Sequence, residues 1–179
     1  MNLLVIGDSY AAGVGAKKTW LDILEIPEAF RRGIPGSTAA EWKANKGNRL
    51  TKAIDIESQA VLISLLGNDA LKGKGGDVDD LFEAGIKNFK FIVKKIQRPW
   101  TGVFLYADPY FGRNLFTRKA IPLINHAIKE ACAGYKVVYI PLCTILDRSC
   151  FSKDIHPNDR GQRKIAVYLS DLMAKVKGI

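Results

Sequence analysis

The chain has 179 residues, 47% hydrophobic and 25% charged, with 27 Lys and Arg against 18 Asp and Glu for a formal charge of +9. That length and balance predict a single domain over residues 1–179 with its own core, and they exclude a disordered chain. No apolar run nears the roughly 20 residues of a bilayer span and no basic leader precedes an apolar stretch, so a cytoplasmic or otherwise soluble protein with no membrane span is expected, either intracellular or a mature form whose leader was removed.

The first apolar run, Leu3-Leu4-Val5-Ile6, reads as a buried strand, and Gly7 frees the backbone to turn at once into Asp8-Ser9-Tyr10. A short helix follows over Lys18 to Leu24, ended by Pro27, and a second strand runs through Ala29-Phe30. The turn Gly33-Ile34-Pro35-Gly36-Ser37-Thr38 exposes backbone amides and can cap a helix from Ala39 to Trp42. A further modest helix spans Leu50 to Ile56.

Ala60 to Leu66 is apolar on both faces, the pattern of a central parallel strand, and it ends in the turn Gly67-Asn68-Asp69. An amphipathic helix covers Val78 to Ile96, then a fourth strand Gly102 to Tyr106, ending at Asp108. The next helix covers about Phe116 to Ala131, with Pro122 predicted to kink it or to mark its start. A fifth strand, Lys136 to Ile140, leads through a long loop carrying Asp154 and His156 to the last helix, opened by Pro157-Asn158-Asp159.

Strands and helices thus alternate five times. The fold class this predicts is α/β, a three-layer α/β/α arrangement around a five-stranded parallel sheet in the flavodoxin-like order 2-1-3-4-5. Cys132, Cys143 and Cys150 are too few for a disulfide framework or a zinc site and read as free thiols, although Cys143 and Cys150 flank one loop and are candidates to pair under oxidising conditions. The cations are spread over helical faces (Lys87, Lys90, Lys94, Lys95; Arg160, Arg163, Lys164, Lys175) without interleaved aromatics. That pattern reads as solvated surface and argues against a nucleic-acid partner.

Four polar turns fall at carboxyl ends of strands: Ser9 after the first, Gly36 after the second, Asn68 after the third, and Asp154-Ile155-His156 after the fifth. All open onto one edge of the sheet, and together they hold what acyl transfer requires. A serine can attack, an imidazole can take its proton, a carboxylate can orient the imidazole, and amide groups can bind an oxyanion. Taken singly, each has a plainer use. Ser9 can cap the first helix, Asn68 can serve as a turn residue, and His156 can precede a helix cap.

These blocks resemble the SGNH/GDSL hydrolase family, in order and over the whole chain. Gly7-Asp8-Ser9-Tyr10 is similar to its first block, Gly33 to Thr38 to its second, Gly67-Asn68-Asp69 to its third, and His156-Pro157-Asn158 with Gly161 and Ala166 to its last. The resemblance implies Ser9 as nucleophile, His156 as base, and the Ser9 N–H, Gly36 N–H and Asn68 side chain as the oxyanion hole. The family usually sets its aspartate three residues before the histidine, where Lys153 stands here. Asp154 stands two before; in an extended segment residues i and i+2 share a face, so it can reach His156. A backbone carbonyl or Asp147 is the alternative orienting group.

The function expected is a serine esterase that hydrolyses short-acyl or O-acetyl carboxylic esters through an acyl-enzyme, with no cofactor or metal. Its partner would be a small-molecule or carbohydrate ester. The rival is a catalytically inactive module of the same fold, binding an anionic partner through its basic surface. Asp8 is expected to bond backbone near the Ser9 turn, and His126 to be structural. Trp20, Trp42 and Trp100 read as core, with Trp42, just beyond the Gly36 turn, the exception best placed to be a substrate platform. The loops Lys72–Asp80 and Asp108–Leu115 are expected to set acyl and alcohol preference, with Asp108 lining the pocket.

Overall fold

A computed structural model describes residues 1–71, 78–107, 115–151 and 155–176. Five strands, β1 (Leu3–Gly7), β2 (Ala29–Gly33), β3 (Ala60–Ser64), β4 (Trp100–Leu105) and β5 (Val138–Pro141), form one parallel sheet in the order β2-β1-β3-β4-β5. This is the predicted order. Every residue of β1, β3 and β4 is buried, as expected of runs apolar on both faces. Strand β2 lies at the edge, where Arg31 and Arg32 are exposed and discourage pairing with another chain.

The connecting helices are α1 (Ser9–Ala12), α2 (Trp20–Leu24), α3 (Ala39–Lys43), α4 (Arg49–Ile54), α5 (Gly67–Leu71), α6 (Val78–Ile96), α7 (Leu115–Cys132), α8 (Leu142–Ile145) and α9 (Asp159–Val176). Helix α6 packs against α3, α4, α5 and α7 to make one outer layer, while α2 packs on α9 in the other. Thr19 and Thr38 open α2 and α3 with full capping boxes to Asp22 and Glu41. Trp20 ties its layer to the sheet. Its ring meets Phe104 edge-on at 5.7 Å, its N–H donates to the Gln162 side chain of α9 at 2.9 Å, and its indole donates to the Tyr10 carbonyl at 3.1 Å.

Three details differ from the sequence expectation. The Gly67-Asn68-Asp69 turn is the first turn of a helix, α5. Helix α7 continues through Pro122 instead of starting there. The long loop after β5 contains α8 and a 3₁₀ turn at Arg148–Cys150, whose cap is Asp147. Cys132, Cys143 and Cys150 are all unpaired thiols, Cys143 exposed and the other two buried.

Candidate active site

Strand β1 delivers Ser9 by a backbone that only glycine permits. Gly7 has φ +137°, and a Cβ there would stand 1.9 Å from the Ser64 carbonyl oxygen of β3. The chain then turns into α1 with Asp8 as its N-cap, the carboxylate accepting from the Tyr10 N–H at 3.0 Å. Ser9 is therefore the first helical residue, not the cap. It is only 8% exposed, and its hydroxyl makes no hydrogen bond to a described residue. Its N–H is one of the orphan donors at the start of a helix.

Asp8 meets the expectation of a backbone bond near the Ser9 turn and exceeds it. Its side chain is 2% exposed and also accepts from the Ser64 hydroxyl at 2.9 Å and from the Tyr106 hydroxyl. Burial pushes its carboxyl up to about 6, against the opposing pull of these hydrogen bonds. Burial, and then the Asp8 charge, push the Tyr106 phenol well above its ordinary value. At neutral pH the pair is a carboxylate and a neutral phenol that donates to it.

The second and third blocks meet each other. The Asn68 side-chain amide donates to the Ser37 carbonyl at 3.1 Å, which leaves its second N–H for another acceptor. Ser37 in turn donates its hydroxyl to the Gly7 carbonyl at 3.0 Å, and Gly36 before it has φ +74°. Asp69 accepts from the Ala39 N–H at 2.9 Å, so α5 and α3 are stapled at their first turns. Trp42 is fully buried, with its indole donating to the Ser37 hydroxyl at 3.1 Å. It supports the Gly36 turn from the core and offers no platform to a substrate.

The last block is held against the first. The Tyr10 hydroxyl donates to the Ile155 carbonyl at 2.7 Å, and the Tyr10 ring lies 6.4 Å from the half-buried His156 ring. Gly15, at φ +104°, makes room for this approach, since a Cβ there would fall 2.7 Å from the His156 Cβ and 2.9 Å from the Pro157 carbonyl. Asn158 closes the segment from both sides. Its amide donates to the Ser149 and Phe151 carbonyls, each at 3.0 Å, and its oxygen accepts from the Arg160 and Gly161 N–H groups that start α9.

Asp154 and Asp108 lie outside the described residues, as do 72–77 and 108–114 of the two loops expected to choose the substrate. Asp147 is not beside His156. Its carboxylate accepts from Lys164 and from the Ser149 N–H and hydroxyl, which holds it well below the usual range. His126 is exposed on α7 with Glu130 one turn on, and packs into nothing. Among the described residues no three His, Cys, Asp or Glu side chains gather to hold a metal ion, and no helix is long and apolar enough to cross a membrane.

Ser9 and Asn68 share the wall of a cavity of about 30 Å³, whose apolar side is Ala107, Ile121, Ile124 and Ile155. A larger open groove of about 1040 Å³ runs along α8 and α9, away from Ser9. The sheet order, with its polar residues on one carboxyl edge, defines an α/β/α hydrolase of SGNH type. Residues 5–164 match the GDSL-like lipase/acylhydrolase family, and the chain belongs to that family of carboxylic ester hydrolases. No curated protein sequence matches the chain.

Solved structures agree on the fold. A lipolytic protein of the G-D-S-L family from Veillonella parvula superposes with a TM-score of 0.77 at 18% identity, over 98% of this chain and 99% of that one. An acetylxylan esterase from Geobacillus stearothermophilus gives 0.72 at 13% identity, over 96% and 92%. A G-D-S-L lipolytic protein from Desulfitobacterium hafniense gives 0.72 at 18% identity, over 96% and 98%.

Proposed function

We propose that the chain hydrolyses short-acyl or O-acetyl esters through an acyl-enzyme on Ser9. His156 takes the Ser9 proton as the hydroxyl attacks the ester carbonyl, and Asp154 orients the imidazole. The Ser9 N–H, the Gly36 N–H and the second N–H of the Asn68 amide receive the oxyanion. His156 then protonates the leaving alcohol. A water deprotonated by the same imidazole releases the acid and restores Ser9.

The observation that carries this reading is the Asn68–Ser37 bond, which ties the third block to the residue after Gly36, beside a cavity that Asn68 and Ser9 both line. A cavity of about 30 Å³ beside Ser9 has room for an acetyl methyl and not for a long chain, which supports short acyl groups. The likeness to an acetylxylan esterase makes acetylated carbohydrate the first natural class to try.

The test is hydrolysis of p-nitrophenyl acetate, butyrate and octanoate, with labelling by a fluorophosphonate probe. Ser9→Ala is expected to abolish both turnover and labelling while keeping the circular dichroism of the parent. Turnover unchanged in Ser9→Ala, or labelling at another residue, overturns the assignment. Octanoate turned over faster than acetate overturns the acyl preference alone.

A further inference from the structure

Strands β1, β3 and β4 are neighbours, and each ends in one member of a buried polar cluster: Asp8, Ser64 and Tyr106. Tyr106 is 4% exposed and held twice at its backbone by the Asn125 side chain of α7, which accepts from its N–H at 2.7 Å and donates to its carbonyl at 2.8 Å. So clamped, its hydroxyl has little freedom in where it ends.

That hydroxyl reaches the ends of two neighbouring strands at once. It donates to Asp8, the residue before Ser9; it lies 3.2 Å from the Ser64 hydroxyl; and it packs against Gly67, the residue before Asn68, where a Cβ would stand 3.2 Å from it. Its ring edge also meets Tyr10, the residue after Ser9, at 5.2 Å. The backbone ends of two neighbouring strands, β1 and β3, therefore meet at one oxygen delivered by a third, β4.

We propose that Tyr106 is a positioning residue, whose hydroxyl, bound to Asp8 and packed against Gly67, sets the separation between Ser9 and Asn68 before substrate arrives. This rests on Ser9 as nucleophile and Asn68 as oxyanion donor. Removing an oxyanion donor outright typically costs about 10²–10³ in rate. Tyr106 acts one residue away from such groups, so its loss displaces them and leaves them present.

The test is Tyr106→Phe, which keeps the ring against Tyr10 and deletes only the shared hydroxyl, paired with Tyr106→Phe/Asp8→Asn. The second variant carries no ionised carboxylate stripped of its donor, so it folds even where the first does not. Both are expected to lose about 10- to 100-fold in kcat on p-nitrophenyl acetate with KM within about twofold, and to label with a fluorophosphonate more slowly in the same proportion. A Tyr106→Phe enzyme with the parent's kcat overturns the proposal. So does recovery of parental kcat in the double variant, since a tyrosine serving only to satisfy a buried carboxylate becomes dispensable once the charge is gone. Ser9→Ala run alongside separates the two levels: turnover surviving there removes the nucleophile itself, whereas a dead Ser9→Ala beside an unimpaired Tyr106→Phe removes only the role of Tyr106.

Discussion

The Tyr10 hydroxyl donates to the Ile155 carbonyl at 2.7 Å, so the residue after Ser9 holds the residue before His156 across 145 positions of chain. Nucleophile and base candidates are thus registered to each other by a neighbour of each. Tyr10→Phe keeps the ring contacts with Tyr106 and His156 and removes only this bond. A loss of about 1 kcal/mol in unfolding free energy is expected, the usual net worth of one hydrogen bond. A fall of about tenfold in kcat accompanies it, because near-attack geometry tolerates little displacement. Urea unfolding with p-nitrophenyl acetate kinetics checks both, and kcat within twofold of the parent shows that the His156 loop keeps its place without the tie.

Gly15 faces the same loop from the other side. Alanine there meets both a left-handed backbone at φ +104° and a Cβ position 2.7 Å from the His156 Cβ. Backbone strain of this kind costs on the order of 1–3 kcal/mol, and the clash is relieved only by moving the His156 segment. Gly15→Ala is expected to lower kcat more than tenfold, with helix content by circular dichroism unchanged. An unchanged rate would place His156 outside the reaction.

The strand order could be read from the sequence because β1, β3 and β4 are each apolar on both faces, and only a parallel sheet covered on both sides accommodates such runs. The four polar blocks were legible for a related reason: each stands directly after a strand, so topology alone brings them to one edge. What lay beyond reach depended on side chains meeting across strands. Tyr106 reads as the last apolar residue of a strand, and nothing local says that its hydroxyl lands on Asp8. Trp42 is core, as the tryptophans were read to be, and the exception allowed for it because it follows the Gly36 turn does not arise: its helix carries it inward, under Ser37. Asp147 was an open alternative for orienting His156 until Lys164, seventeen residues along and on α9, was found to hold it.

Asp8 makes stability depend on pH. Burial raises its folded-state carboxyl from 3.8 to about 6, so between those values the folded chain holds a proton that the unfolded chain has released. Its contribution therefore falls as pH rises from about 4 to about 6, and is level above that, where both states are ionised. Asp8→Asn has no such term. The stability of the variant relative to the parent is expected to improve by on the order of 2–3 kcal/mol between pH 4 and pH 7. Denaturant midpoints for both proteins at pH 4, 5, 6 and 7 check this; a difference constant with pH shows that Asp8 titrates alike in the two states.

Two aspartates are candidates for orienting His156, and one of them, Asp147, is engaged by other partners. Asp147 is exposed and its oxygens are taken by Lys164 and Ser149, so Asp147→Asn loosens a surface ion pair and a 3₁₀ cap. Such exposed contacts are screened by water and act on no reacting atom. Asp154 stands two residues before His156 in the sequence. A carboxylate that selects the imidazole tautomer and steadies the imidazolium loses both functions on conversion to an amide. Asp154→Asn is expected to lower kcat by about 10²-fold or more with KM little changed, and Asp147→Asn to leave kcat within about twofold. Steady-state kinetics on p-nitrophenyl acetate for the two variants decides it. Equal, small effects in both would assign the orientation of His156 to a backbone carbonyl, and a large effect in Asp147→Asn alone would mean that the 3₁₀ turn, not Asp154, sets the position of the base.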